Sequence, residues 1–202
     1  EMTERDGWAR LGKLHTSTHV LNTPCLLPVI NPNIRTVEPR ELWEKYGFEA
    51  LITNSYVIWK HEKLKSKALS DGVHDLLDYP GVVMTDSGTF QNYVYGDVEV
   101  GVEEIVEFQR EIGVDIATML DVFGTPDMTK EEVSEAVKET LARSKASLDA
   151  AEGTMLNGPI QGGIHADLRA ESAHGMAQHA FAVHPIGGIV PLMERQRYRD
   201  LV

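Results

Sequence analysis

Short apolar runs alternate with longer mixed stretches along this chain. The runs fall at 26–30, 50–53, 82–85, 116–120, 159–162 and 186–190. Each is short and largely apolar, as expected of strands covered on both faces. The stretches between them carry helical signals. Residues 38–46 open on Glu-Pro, a fair helix start. In 102–112, Val102, Ile105, Val106 and Phe108 gather mostly on one side. In 129–151, Thr129 is placed as N-cap with Glu131 and Glu132 in the first turn, where the helix dipole favours acids. Residues 166–182 and 194–202 complete the helical set. The first stretch, 8–22, alternates differently, has Gly7 and Gly12 close by, and predicts an antiparallel hairpin.

A βαβα series predicts an α/β fold with a parallel sheet and right-handed crossovers. Six strands suit an open doubly wound sheet, and equally a (β/α)8 barrel of which only about six βα units are present. No repeat, low-complexity tract or linker interrupts 1–202, so the chain reads as one domain portion. It holds no Gly-x-Gly-x-x-Gly and no Walker loop, so no nucleotide cofactor is expected.

Composition changes this picture little. Apolar residues are 42% and charged residues 25% of the 202, which is ordinary for a globular protein. No apolar run nears the roughly 20 residues of a membrane helix. The start, Glu1-Met2-Thr3-Glu4-Arg5, lacks the pattern of a signal peptide. A lone cysteine, Cys25, cannot form an internal disulfide, and a cytoplasmic location is expected. The net charge of −12 argues against nucleic acid as a partner when taken globally. Two local clusters run the other way: Lys60, Lys63, Lys65 and Lys67, and Arg195, Arg197 and Arg199. As isolated features, both read first as solvated helix faces.

In either α/β architecture, ligands bind beyond the carboxyl ends of the strands. The residues there are Asn54-Ser55-Tyr56, Asp86-Ser87-Gly88, Asp121, Gln161-Gly162-Gly163 and Gly187-Gly188-Ile189. Two carboxylates and a primary amide suit a flat ring rich in N–H groups and carrying a carbonyl. Glycines let backbone N–H groups approach such a ring, and Phe90 offers a stacking face. Taken singly, each has a plainer reading: Asp86 as a turn former, Asp121 as a cap, Gly187-Gly188 as a turn, Phe90 as core. The histidines His165, His174, His179 and His184 lack metal-ligand spacing, so no metal site is expected here.

Several longer segments resemble one family. Thr85-Asp86-Ser87-Gly88-Thr89-Phe90-Gln91 is similar to the Asp-Ser-Gly-x-Phe-Gln signature of tRNA-guanine transglycosylases. Ile160-Gln161-Gly162-Gly163 with Asp167-Leu168-Arg169 resembles a second family segment. His184-Pro185-Ile186-Gly187-Gly188-Ile189-Val190-Pro191-Leu192 resembles the base-binding loop of the archaeal members. Arg5-Asp6-Gly7 through Thr23-Pro24, and Thr53-Asn54-Ser55-Tyr56, follow in order, so the resemblance covers essentially the whole chain.

The resemblance implies a TIM-barrel pentosyltransferase that exchanges guanine 15 in the D-arm of tRNA for 7-cyano-7-deazaguanine, on the route to archaeosine. It implies a catalytic role for Asp86. Asp121 and Gln161 would hold the base edge, Gly188 and Ile189 would contact it through backbone groups with Val190 beside them, Phe90 would stack on it, and Ser87 would sit against base or ribose. The implied chemistry is double displacement through a covalent ribosyl-enzyme, without a cofactor in this chain. The family's nucleophilic aspartate, zinc site and C-terminal RNA-binding domains are expected beyond Val202. The partners implied are tRNA, guanine and the deazapurine, with a homodimer or a complementing C-terminal chain, and no membrane. Three other readings stay open: a non-catalytic base-binding subunit, half of a split transglycosylase, and an unrelated barrel enzyme that binds phosphate at Gly187-Gly188.

Overall fold

The computed structural model describes residues 1–89 and 100–189. Phe90, Val190, the helical pattern at 194–202 and the cluster Arg195, Arg197 and Arg199 lie outside the described residues. The chain divides into two compact units, Glu1–Asp86 with Glu107–Ala117, and Ser87–Val106 with Thr118–Val202.

The first unit opens on an antiparallel sheet of three strands, β1 (Met2–Asp6), β2 (Ala9–His15) and β3 (Val20–Thr23), in that order. The sequence predicts a hairpin, and the structure adds β1. That strand is exposed throughout and mostly charged, so it carries no apolar pattern. Gly7, at φ +59°, turns β1 into β2.

Parallel strands follow: β4 (Val29–Ile30), β5 (Ala50–Asn54), β6 (Val82–Asp86) and β7 (Ile116–Thr118). Their register pairs Val29 with Ile52, Ala50 with Val82, Asn54 with Asp86, and Met84 with Ile116. Leu51, Val82 and Val83 are fully buried, which explains their unbroken apolar pattern. β4 is shorter than the run 26–30. Pro28 has no N–H to give a ladder, although its carbonyl accepts from Ile52 N–H at 3.0 Å.

Four helices pack in this unit: α1 (Pro39–Glu44), α2 (Ser55–Lys60), α3 (Glu62–Asp71) and α4 (Val73–Leu77). The hydrophobic pattern did not predict α2, α3 or α4. They are short, and His61 and Gly72 divide them before a 3.6-residue period can establish itself. Asn54, the last residue of β5, caps α2 by accepting from Val57 N–H at 2.8 Å. Lys60, Lys63 and Lys67 are exposed, as expected of a solvated face. Lys65 instead lies over the Trp59 ring, with Nζ 4.4 Å from its centroid.

At the amino ends of β6 and β7, Asp115 is buried and heavily bonded. Its carboxylate accepts from Val83 N–H at 2.8 Å and from the Thr18 hydroxyl, and faces His74 Nε2 at 3.2 Å. α5 (Val102–Glu111) contributes residues to both units.

The second unit contains Thr118, β8 (Met155–Asn157), α6 (Lys130–Ala151) and α7 (Ala166–Met176). α6 matches its sequence signal. Thr129 and Glu132 form a full capping box, each side chain bonding the other's backbone N–H. Val133 and Val137 of α6 pack with Leu168 of α7. α7 ends at Met176, short of the predicted 182: Gln178 and His179 N–H close tight turns onto the Gly175 and Met176 carbonyls, and Ala182 N–H bonds the Leu156 carbonyl at 2.9 Å.

The fifth predicted strand is displaced. The strand is Met155–Asn157 rather than 159–162, and its buried Asn157 donates to Thr118 Oγ1 at 3.0 Å. Pro159 lacks a donor, and Gly158 lies so close to the Phe181 ring that a Cβ would collide with it. The sixth predicted strand is reduced to parallel bridges, Asn157 with Val183 and Ile160 with Ile186. The α/β class and its parallel pairing therefore hold. Among the described residues, no helix is long and apolar enough to cross a membrane.

Candidate active site

Asp121 follows β7 and is only 8% exposed. α6 fixes the backbone on both sides of it. Arg143 Nη1 donates to the Leu120 carbonyl at 3.1 Å, and Val122 N–H donates to Thr140 Oγ1 at 2.9 Å. The Thr89 hydroxyl donates to the Asp121 carbonyl at 3.0 Å. Burial pushes the Asp121 carboxyl above the usual carboxylate range, against opposing hydrogen bonds from Thr89 and Gln161 and the charge of Arg143.

The Asp121 carboxylate accepts a hydrogen bond from the side-chain amide of Gln161. Gln161 is 2% exposed, and its backbone N–H donates to Ser172 Oγ on α7 at 3.0 Å. With its nitrogen committed to Asp121, its Oε1 has no hydrogen-bond partner among the described residues. A buried acceptor left so costs about 1–3 kcal/mol, and a ligand N–H would relieve it.

The Gly187-Gly188 turn lies against this amide. A Cβ on Gly187 would run into the Gln161 side-chain amide. At Gly188, which has φ +65°, a Cβ would stand 3.0 Å from Oε1. Glycine is thus required twice, once by space and once by backbone conformation. Gly187 N–H donates to the Ile160 carbonyl at 2.9 Å, which ties the turn to the segment that carries Gln161. Beside Asp121 opens a cavity of about 380 Å³, with Thr89, Phe123, Thr125, Met128 and Arg143 in its wall.

Of the residues predicted for the site, Asp121, Gln161 and Gly188 come together in the second unit. Ser87 is fully buried, with its hydroxyl 3.4 Å from that of Thr89, the residue that holds Asp121. Ile189 follows the turn, half-buried. Asp86 ends β6 in the first unit, half-buried, and its carbonyl accepts from Ser55 Oγ at 2.7 Å. Phe90 and Val190 are outside the described residues.

The anchors Thr140, Arg143 and Ser172 were not singled out from sequence, and Arg169 entered only within the segment Asp167-Leu168-Arg169, with no role of its own. Thr140 and Arg143 are spaced three apart on α6, and Arg169 and Ser172 three apart on α7. Polar residues at that spacing on a face otherwise buried are the signal that identifies such anchors. Cys25 is exposed, and no group of three or more His, Cys, Asp or Glu among the described residues is placed to hold a metal ion.

Residues 5–202 match the family model described as queuine tRNA-ribosyltransferase. All 202 residues align at 48% identity with the tRNA-guanine(15) transglycosylase of Thermoplasma acidophilum, covering 32% of that protein. Identity is 47% with the protein of that name from Pyrococcus abyssi, covering 34% of it, and 47% with that from Methanopyrus kandleri, covering 44%. The chain therefore spans less than half the length of these curated relatives. Matched from residue 5 almost end to end, it belongs to the queuine tRNA-ribosyltransferase family.

Proposed function

We propose that this chain supplies the base pocket and one catalytic carboxylate of a tRNA-guanine transglycosylase on a (β/α)8 barrel. The enzyme would exchange guanine 15 of the tRNA D-arm for 7-cyano-7-deazaguanine. The observation that carries the reading is the buried Asp121–Gln161 pair against the Gly187-Gly188 turn. The carboxylate and the open Gln161 oxygen accept N–H groups of the pyrimidine-like edge, and the Gly188 N–H donates to the ring carbonyl. Names carried by relatives at 47–48% identity support the same substrate class.

In the exchange, a carboxylate attacks the anomeric carbon as the glycosidic C–N bond breaks, and guanine leaves with the electron pair and gains a proton. The deazapurine then gives up its ring N–H proton, attacks the same carbon and displaces the carboxylate. Asp86 acts beside the ribose in these steps. Ser87 and Ile189 are assigned to the pocket wall, and no cofactor enters.

Radiolabelled guanine exchange into tRNA tests this. Asp86→Ala should lose exchange by about a hundredfold or more, while guanine binding by calorimetry persists. Full exchange by Asp86→Ala would remove that residue from the chemistry. A protein that binds neither guanine nor 7-cyano-7-deazaguanine would overturn the whole reading.

A further inference from the structure

Arg169 sits on α7 with its side chain turned inward, and it is 5% exposed. Among the described residues no carboxylate pairs with it, and burial lowers its pKa from the ordinary arginine value. Its three nitrogens are spent on two backbone carbonyls. Nε donates to Gly163 at 2.9 Å, and Nη1 and Nη2 both donate to Gly187 at 3.1 Å. Gly162 makes room for the arginine, since a Cβ there would stand 2.6 Å from Arg169 Cγ. A buried guanidinium without a counter-charge is costly unless hydrogen-bonded, so its position is set by those carbonyls.

The Gly187 carbonyl and the Gly188 N–H belong to one planar trans peptide and point in opposite directions. Holding the carbonyl with a charged fork fixes where the N–H aims. Two glycines in a row provide no Cβ to resist rotation of that peptide, so the restraint has to come from outside the turn. The charge on the carbonyl side also polarises the peptide and makes its N–H a better donor.

We infer that Arg169 is a positioning residue that aims the Gly188 N–H at the ring carbonyl of the bound base, and so sets the preference for a 6-oxo purine-like ring. This rests on the base pocket proposed above. Its test compares guanine with 2,6-diaminopurine, in which an amino group replaces that carbonyl and the ring N1–H is lost. The latter difference is common to wild type and variants, so the quantity read is the change in preference between proteins. Binding is measured by calorimetry for the wild-type protein, Arg169→Met and Arg169→Lys.

The preference for guanine over 2,6-diaminopurine should fall by about tenfold in Arg169→Met. It should fall by less in Arg169→Lys, which keeps the charge and loses the fork. Loss of affinity by the same factor for both bases would overturn the inference, because a merely structural arginine would act that way. Where Arg169→Met does not fold, Arg169→Lys decides: a narrowed preference supports the role and an unchanged one overturns it. A wild-type protein with no preference between the two bases would instead remove the pocket reading beneath it.

Discussion

The side-chain amide of Gln161 donates to the carboxylate of Asp121, a residue 40 positions earlier in the chain. One N–H of that amide is committed to Asp121, and the Gln161 oxygen is left as a buried acceptor beside the carboxylate. That polarity selects for a ligand edge made of N–H groups.

Asp121→Asn should separate binding from stability. Burial raises the carboxyl above its ordinary value of 3.8. Stability therefore falls as pH rises from that value through the raised one, and stays lower above it. Removing the charge should raise the urea midpoint at pH 8, with the gain vanishing toward pH 3, while guanine affinity drops by about tenfold or more. A variant less stable than wild type at pH 8 would contradict this.

Gly187→Ala should abolish base binding with the fold intact, since the new methyl group meets the Gln161 amide. Gly188→Ala should in addition cost about 1–2 kcal/mol, because its φ of +65° is unfavourable with a Cβ. Calorimetric titration beside thermal denaturation separates the two effects, and unaltered guanine affinity in Gly187→Ala would count against the pocket.

His74 and Asp115 should give the fold an acid-side advantage. The hydrogen bond to Asp115 raises the His74 pKa above 6.5, against desolvation, and its Nδ1 faces the Tyr79 carbonyl at 3.2 Å. Burial raises the Asp115 pKa, but bonds from His74, Thr18 and Val83 outweigh it and hold the value below 3.8. The histidine's contribution is complete below its unfolded value and is lost as pH rises through the raised one. The aspartate's is present above its unfolded value and is lost as pH falls through the lowered one. His74→Ala should thus cost about 1–2 kcal/mol between about pH 4 and pH 6.5, and less at pH 9. Equal losses in denaturant titrations at pH 5 and pH 9 would rule the coupling out.

Thr129→Ala should destabilise by about 1 kcal/mol, and Thr129→Ser by much less, because serine keeps the cap. Amide exchange in the first turn of α6 should speed up in the alanine variant alone.

Features set by local chemistry were legible in the sequence. Thr129 and the acids after it marked the start of α6, and strand ends pointed to Asp121 and Gly188 because ligands gather there. Gln161 was found for the same reason, although its strand was placed four residues too late, since Asn157 is polar and buried. Long-range pairs were not legible. Nothing near Asp115 announces His74 or Thr18, and nothing near Arg169 announces that its targets are two glycine carbonyls. The short helices α2, α3 and α4 escaped for lack of length.

Thr140 and Arg143 reach Asp121 from a single helix whose start is fixed by the capping box at Thr129. Each residue of an α-helix turns the next by about 100°. One residue inserted or deleted between Thr129 and Thr140 would swing both anchors off the backbone of Leu120 and Val122 together. That part of α6 is therefore a gauge of fixed length, closed to insertions and deletions even where its outer surface accepts almost any polar side chain.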